Sequence, residues 1–342
     1  MASVSNFRPP TQSPSPQPRK SGNWGKWLLL GAAGVIGYFW LMGALRQRTF
    51  DEGMQAYEAA DCTTAIAKFD QVIGNQTTSS DPEDMSARAQ ARKAECQAFQ
   101  TAKGGKSVTA QFAFATQFVQ KYPNSELVTP LKQAIAPNVT KTLTKKLATP
   151  TTCQRLDLID KQELLPASKI PEMYLACGQV FSTSRKLPQA IALYEKFFDQ
   201  YPDHALTTQV KQAYAKAIVQ DAKAQGGGRI APPGAVGRTP DGSTVVSIRN
   251  DSSEAIRIVF SGPTPRVEEL PPCKECRDFT AGSLPKSCPN KGELGNYTIQ
   301  PGEYEVMVKS IGSRKVRPFT GSWALDNGNA YSHCFYIVRD LT

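Results

Sequence analysis

Residues 173–202 read MYLACGQVFSTSRKLPQAIALYEKFFDQYP, and this stretch decides the fold of the longer part of the chain. Apolar residues recur every three or four positions on both sides of STSRKL, which predicts two amphipathic helices joined by a short turn. The small residues Gly178 and Ala190 would let the two helices approach closely. The aromatic residues Phe181 and Tyr194 would fill the space between them. These residues are therefore predicted to serve packing and not binding.

The same apolar periodicity extends over residues 49–225 and predicts an all-α domain. Breaks rich in Pro, Asn and Thr divide it into about nine helices. They are predicted near residues 50–60, 62–74, 83–101, 106–121, 125–147, 152–164, 170–183, 187–200 and 204–224.

An internal repeat runs through this region. FVQKYPNSELVTPLKQAIA at 118–136 and FFDQYPDHALTTQVKQAYA at 197–215 are identical at 9 of 19 positions. Unrelated segments of that length would match at about one or two positions. A duplicated helical unit is therefore expected.

The stretch at 173–202 resembles one tetratricopeptide repeat. Several residues match the spacing of that family's signature, with a cysteine where a leucine is usual: Tyr174, Cys177, Gly178, Phe181, Ala190, Tyr194 and Pro202. A first repeat resembles the family through Gly53, Ala65 and Phe69. The resemblance covers about half of the chain and is loose in between. It implies stacked antiparallel helix pairs that mediate protein–protein interaction.

Residues 27–45, WLLLGAAGVIGYFWLMGAL, carry no charge. At about 1.5 Å per residue, a helix of this length would cover the hydrocarbon core of a bilayer. A buried core helix and a cleaved signal peptide are the alternatives. Aromatic residues near both ends and the lack of a good cleavage site favour an uncleaved transmembrane helix.

The net charge of +10 is concentrated at one end, because six Lys and Arg and no acid lie in residues 1–48. Residues 1–26, rich in Pro, Ser and Gln, predict a disordered tail. The positive-inside tendency places this tail in the cytoplasm and the bulk of the chain in the periplasm or outside the cell. The remaining charge forms no basic stripe, which argues against a nucleic-acid partner.

Residues 226–243 are rich in Gly and Pro and predict a linker. Beyond it, residues 244–342 show a period of two, with Ile256, Ile258 and Phe260 on one strand face. About six strands and no helix predict a small immunoglobulin-like β-sandwich. DNGN at 326–329 predicts a tight hairpin.

The chain has eight cysteines, an even number that is typical of disulfide-bonded proteins in oxidising compartments. An antiparallel hairpin stack would bring Cys62 near Cys96 and Cys153 near Cys177, so these pairs are predicted disulfides. The alternative is four buried free thiols.

The β region holds Cys273, Cys276, Cys288 and Cys334. A redox pair at Cys273 and Cys276 would need a helix after it, and a zinc site would need a second C-x2-C pair. We therefore expect Cys273 and Cys276 each to pair with one of Cys288 and Cys334. The spacing does not distinguish the two arrangements.

The sequence shows no motif of known catalytic chemistry. It has two histidines, His204 and His333, and no His pair at helical spacing, phosphate-binding loop or nucleophile elbow. The chain is therefore predicted not to be an enzyme, with no catalytic, cofactor-binding or metal-binding residue.

The order of tail, anchor, helical repeats and cysteine-bearing sandwich resembles envelope proteins of cyanobacteria, through CKEC at 273–276, SCPNKG at 287–292 and YSHCFYIV at 331–338. The leading hypothesis is a membrane-anchored extracytoplasmic scaffold or adaptor that binds other envelope proteins through its repeats. One alternative is a module that binds envelope glycan or peptidoglycan. Another is a thiol-disulfide oxidoreductase that uses Cys273 and Cys276.

Overall fold

The structure, a computed structural model, describes residues 24–74, 83–312 and 316–339. The predicted disordered tail lies outside the described residues up to residue 23. Eleven α-helices precede the β region in the described part of the chain. They are α1 (Trp24–Glu58), α2 (Cys62–Gly74), α3 (Glu83–Lys103), α4 (Val108–Lys121), α5 (Val128–Lys141), α6 (Thr144–Leu147), α7 (Pro150–Cys153), α8 (Leu156–Lys161), α9 (Ile170–Thr183), α10 (Leu187–Gln200) and α11 (Thr207–Ala224).

The chain divides into two compact units, Met1–Gln97 and Ala98–Thr342. The first unit holds α1, α2 and most of α3. The second holds the remaining helices and the whole β region.

The predicted transmembrane helix at 27–45 is wrong, because no described helix has the length and apolar character that a bilayer crossing requires. Instead, α1 continues without a break into the first predicted repeat helix, since LRQRT at 45–49 contains neither Pro nor Gly. Arg46, which is only 9% exposed, donates to the carbonyl of Val72 at 3.0 Å and to the hydroxyl of Ser86 at 2.6 Å. The localisation inferred from the anchor, a single-pass membrane protein with a cytoplasmic N-terminus, is wrong with it.

The first helical hairpin is formed by α1 and α2. Gly53 lies against the ring of Phe69, where a β-carbon would approach the ring to 2.8 Å. Ala60 in the turn has φ of 56°, a left-handed conformation that reverses the chain direction. A disulfide then joins Cys62, the first residue of α2, to Cys96 of α3.

The second unit contains a hairpin of the same design, formed by α9 and α10. Gly178 lies so close to the ring of Tyr194 that a β-carbon would overlap it. Arg185 in the turn has φ of 57°, and Ala190 is fully buried. The disulfide of this hairpin runs from Cys177 back to α7.

The predicted helices at 125–147 and 152–164 are each divided in the structure. Thr142 and Leu143 take extended conformations between α5 and α6, and the carbonyl of Thr142 accepts a 2.7 Å hydrogen bond from Lys169. Pro150 opens α7 at its first turn, where a missing N–H costs nothing. Each of these two predicted helices is therefore replaced by shorter ones.

The β region forms two larger sheets and one small one. Its strands are β1 (Gly228–Arg229), β2 (Gly234–Arg238), β3 (Thr244–Asn250), β4 (Ile256–Ser261), β5 (Arg266–Leu270), β6 (Phe279–Thr280), β7 (Glu293–Ile299), β8 (Gly302–Ser310), β9 (Phe319–Leu325), β10 (Asn329–Phe335) and β11 (Val338–Arg339). The strand orders are β1-β9-β8-β4-β5, β2-β10-β3-β7 and β11-β6.

The two larger sheets are mixed. β1 pairs with β9, and β3 pairs with β10, in parallel, while the other pairs in these two sheets are antiparallel. The predicted immunoglobulin-like sandwich, which is built from antiparallel strands, is therefore not the observed topology. The predicted fold class was wrong in this respect and in its transmembrane helix.

Both larger sheets contribute to one shared core. Ile256, Ile258 and Phe260 all point into it, as the alternation predicts. Trp323 lies at its centre, fully buried and 6.0 Å from the ring of Phe260. Its indole N–H donates to the carbonyl of Ala231 at 3.1 Å, which satisfies the one polar group of the side chain.

Two connections differ from the sequence-based expectation. The predicted linker at 226–243 contains β1 and β2. Its Ile230 belongs to the core, and the backbone N–H of Ile230 donates to the carbonyl of Thr320 at 2.8 Å. The predicted hairpin at 326–329 links β9 of one sheet to β10 of the other. Tyr331 points into the core at this crossing, and its hydroxyl accepts a 2.8 Å hydrogen bond from the backbone N–H of Asp326.

The helix α11 packs on the outer face of the five-stranded sheet. Val259 and Met307 are buried although they alternate with the residues of the shared core. Lys223 of α11 forms an ion pair with Glu305 of β8. The helices of the second unit and its sheets are therefore packed together directly.

Candidate functional site

An open groove of about 720 Å³ lies where α10 and α11 meet the outer face of the sheet. We call it the junction groove. Its floor is apolar and is formed by Ile191, Tyr214, Ile218, Met307 and Ile311. Such a mixture of apolar floor and charged rim is typical of binding sites for ligands or peptides.

The polar groups around the floor are partly paired. The hydroxyl of Tyr214 donates to Glu195 at 2.9 Å, and burial, reinforced by that carboxylate, raises the pKa of Tyr214. Arg257 is paired with Glu269 at 2.7 Å.

Two cations at one end of the junction groove are available to a ligand. Lys309 of β8 and Arg317, which precedes β9, line the groove and are exposed. Within the described residues neither forms an ion pair. The groove therefore offers an apolar floor next to two free positive charges.

All eight cysteines are paired in the structure. Cys62 with Cys96 and Cys153 with Cys177 are the pairs that the sequence predicts. The expectation for the β region was wrong, because its disulfides are Cys273–Cys276 and Cys288–Cys334. Four disulfides are typical of proteins from an oxidising, extracytoplasmic environment.

The closed pair at Cys273 and Cys276 has a local cause. Lys274 and Glu275 form a turn, and the N–H of Cys276 points at the carbonyl of Cys273 at 3.4 Å. This turn brings the two α-carbons to 5.3 Å, which lies within the range of ordinary disulfides. Sequence spacing alone does not reveal such a turn.

The two disulfides of the β region meet at a second cavity of about 360 Å³. Cys276 and Cys288, one from each bridge, line it, and we call it the cysteine pocket. Asp251, which is fully buried, lies at its base. The Asp251 carboxylate accepts backbone hydrogen bonds from Lys291 and Gly292, each at 2.8 Å, and so holds the pocket wall in place.

Three cations surround the cysteine pocket. Arg277, Lys286 and Lys291 line it, and all three are exposed. No ion pair joins any of them to another part of the chain that the structure describes. Phe279, which stacks edge to face on Tyr336 at 5.3 Å, supplies an apolar wall.

The predicted repeat-packing residues lie in the helical hairpins and not in these cavities. Six of them are at contacts between helices, namely Gly53, Ala65, Phe69, Phe181, Ala190 and Tyr194, and Gly178 lies against Tyr194. Pro202 is exposed just after the end of α10. The residues of the junction groove come from distant segments of sequence, so no local pattern identifies them. Those of the cysteine pocket lie within residues 276–291, apart from Asp251.

The two histidines occupy structural positions. His333 lies between the rings of Trp323 and Phe335, at 5.8 Å and 4.7 Å, and burial lowers its pKa. His204 accepts the N–H of Leu206 at 3.2 Å. Within the described ranges, no group of three or more His, Cys, Asp or Glu is placed to hold a metal ion.

No family model matches this chain, and no curated protein matches it.

Proposed function

We propose that this chain is an interaction scaffold, not an enzyme, and that it binds a segment of another protein in the junction groove. The observation that carries this proposal is the groove itself, with its apolar floor and the unpaired cations Lys309 and Arg317 at one end. A protein segment with an apolar face and a carboxylate group matches both features.

The shape of the groove supports a protein segment over a small molecule. It is open, and its floor is contributed by the helices α10 and α11, by the strand β8 and by the residue that follows β8. A preformed floor of this kind costs little conformational entropy on binding. The partner would therefore lie along α11 with its apolar side chains against Ile191 and Ile311, the two apolar floor residues that are not buried.

The recurring hairpin supports a tetratricopeptide-like repeat. In both hairpins, a glycine is followed at the same intervals by a left-handed turn residue, a small residue and an aromatic residue. The two sets are Gly53, Ala60, Ala65 and Phe69, and Gly178, Arg185, Ala190 and Tyr194. Helical repeats of this kind commonly serve protein–protein interaction.

The disulfides suggest where the partner is to be sought. Because all eight cysteines are paired, the scaffold belongs in an oxidising compartment, and its partner is another extracytoplasmic protein.

Site-specific photo-crosslinking tests the groove. A benzophenone amino acid placed at Ile311, on the groove, should give a discrete adduct with one partner protein in the native host. The same group at Thr298, which is exposed on β7, is the matched control. The adduct at Ile311 should disappear when Lys309→Glu and Arg317→Glu are combined. Equal adducts at both positions, or an adduct that survives the charge reversal, would overturn the proposal.

A second function, thiol–disulfide exchange, is favoured by the closed pair at Cys273 and Cys276. A thiolate of a substrate protein would attack the half-buried sulfur of Cys276, and the sulfur of Cys273 would leave as a thiolate. A second substrate thiolate would then release the oxidised substrate and leave both cysteines reduced. The cation Arg277 beside Cys276 would favour the thiolate form.

Graded reduction followed by alkylation tests this second function. Cys273 and Cys276 should be alkylated at a reductant concentration at which the other three bridges stay closed. The oxidised chain should also oxidise a reduced dithiol peptide, and Cys276→Ser should abolish that reaction. Simultaneous opening of all four bridges would contradict it.

A further inference from the structure

We infer that the cysteine pocket is a binding site for a carboxylate-bearing sugar unit of a polysaccharide. This inference is independent of the junction groove, which is lined by other residues.

The size of the cysteine pocket fits a ligand of this class. Its volume of about 360 Å³ is at the lower end of the range for small-molecule pockets, which begins at about 300 Å³. That volume accommodates one sugar ring with its substituents. The rest of the polysaccharide chain would extend out of the open side of the pocket.

The positive charge of the cysteine pocket favours an anionic ligand. Arg277, Lys286 and Lys291 stand against a single carboxylate in the lining, that of Asp251. The Asp251 carboxylate is buried and is occupied by backbone N–H groups of the wall. The three cations are thus left for a ligand, and an oxyanion would form charge-assisted hydrogen bonds with them.

The apolar part of the lining favours a ligand with an apolar face over a bare inorganic ion. Phe279, Pro285 and Pro289 line the same cavity as the cations, and Ser287 adds a hydroxyl group. A free phosphate or sulfate would leave the ring and the prolines uncovered. A sugar carboxylate covers them with its C–H face and offers hydroxyls to Ser287.

The walls of the cysteine pocket are fixed before binding. Two disulfides brace them, and the N–H of Cys273 donates to the carbonyl of Ser252 at 2.9 Å. The side chain of Asn250, itself fully buried, donates to the carbonyl of Pro271 at 2.7 Å. Binding therefore requires little ordering of the loops, which favours affinity for a small ligand.

The experiment uses the full chain and three probes: a short oligomer of glucuronic acid, an oligomer of glucose of equal length, and inorganic phosphate. Calorimetry at low salt should show binding of the acidic oligomer and none of the neutral one. Arg277→Gln, Lys286→Gln and Lys291→Gln should each weaken binding about tenfold, the loss expected for one charge-assisted hydrogen bond.

Two controls make the result specific. Lys274→Gln removes a neighbouring exposed cation that does not line the pocket, and it should leave the affinity within about twofold. Phe279→Ala should weaken the acidic oligomer but leave any binding of phosphate unchanged. A non-reducing peptide map should show all four disulfides in every variant, which separates loss of binding from loss of fold.

Three outcomes would overturn the inference. The first is no binding of the acidic oligomer, and the second is equal binding of the neutral oligomer. The third is an equal effect of Lys274→Gln and Lys286→Gln, which would indicate general attraction between charges. Binding of phosphate alone would likewise reduce the pocket to a simple anion site.

Discussion

The two helical hairpins, α1–α2 and α9–α10, use the same packing device but are fastened to their surroundings differently. In both, a glycine of the first helix receives an aromatic ring of the second, Phe69 in one and Tyr194 in the other. The disulfide of the first hairpin runs forward from α2 to α3, whereas that of the second runs back from α9 to α7. The local design is therefore repeated while the long-range connection is not.

This difference shows which part of a helical repeat depends on its own sequence. The glycine, the turn and the ring lie within 17 consecutive residues, so one hairpin specifies them by itself. The bridges depend on a third element, which differs between α3 and α7. Changes to the bridges should thus affect each hairpin's attachment, and changes to the rings should affect its interior.

The largest effect is expected from removal of the bridges. Cys62→Ala with Cys96→Ala and Cys153→Ala with Cys177→Ala should each lower the free energy of unfolding by about 3–4 kcal/mol. The sequence separations of 34 and 24 residues make the two losses similar, with the first slightly larger. Urea denaturation of the two double variants measures both. A loss below about 1 kcal/mol in either would mean that the bridge does not constrain the unfolded chain.

The next effect concerns the glycines. Gly178→Ala should cost about 2–3 kcal/mol, because its β-carbon would overlap the buried ring of Tyr194. Gly53→Ala should cost about 1 kcal/mol, since the ring of Phe69 is less close. Thermal unfolding followed by circular dichroism measures the order.

A smaller partner side chain provides the control for this pair. Adding Tyr194→Leu to Gly178→Ala should recover part of the stability that Gly178→Ala loses, because the smaller side chain leaves space for the new methyl group. An equal cost of the two glycine substitutions would contradict the difference in ring distance between the hairpins.

Much of this comparison was predictable from the sequence, because it rests on local periodicity. The boundaries of α2, α9 and α10 and both helical disulfides follow from apolar spacing and from the antiparallel arrangement of neighbouring helices. The continuity of α1 does not follow from the sequence, because its uncharged apolar run is also typical of a separate segment. Whether such a run ends before the next helix depends on what Arg46 contacts, namely Val72 and Ser86.

The β region and the cavities were less predictable, because their determinants are not local. Alternation predicts the core face of β4, but it does not say which strands pair or in which direction. The pair at Cys273 and Cys276 depends on a turn of two ordinary residues. The junction groove depends on packing between elements that lie far apart in sequence, and the cysteine pocket depends on how one loop, residues 276–291, folds over Asp251.

A third effect should appear in the second hairpin in alkali. Burial, with a contribution from Asp157 and Asp160, raises the pKa of Tyr174 to about 12. The unfolded chain loses this proton from about pH 10, whereas the folded chain retains it. Stability from this group is therefore complete below pH 10 and is lost as the pH rises towards 12.

Tyr174→Phe should remove this alkaline loss, which we expect to be about 1–2 kcal/mol at pH 11.5. Urea denaturation at pH 8, 10 and 11.5 compares the variant with the natural chain. Identical pH profiles of the two proteins would contradict a raised pKa at Tyr174.

The smallest expected effect on stability distinguishes the ring of Phe69 from the ring of Tyr194. The buried hydroxyls of Tyr194 and Ser182 form no well-aligned hydrogen bond, and burial raises the pKa of Tyr194. Tyr194→Phe should therefore be neutral or stabilise by up to about 1 kcal/mol. Phe69→Tyr, the reverse exchange in the first hairpin, should destabilise by about 1 kcal/mol or more, because Phe69 is fully buried. Thermal unfolding measures both variants. A loss of stability in Phe69→Tyr without a loss in Tyr194→Phe would establish that the two positions differ, and a loss in both variants would contradict this prediction.

The strands β1 and β2 determine where this protein can be divided. A fragment that starts at residue 244 would lack both, so β10 would have a free edge in place of its pairing with β2. The indole of Trp323 would also lose its acceptor, Ala231. Free edges recruit strands from other molecules, so a proteolytic cut near residue 240 would yield aggregating material and not an independent domain. For expression or degradation, the β region and the end of α11 therefore behave as one piece.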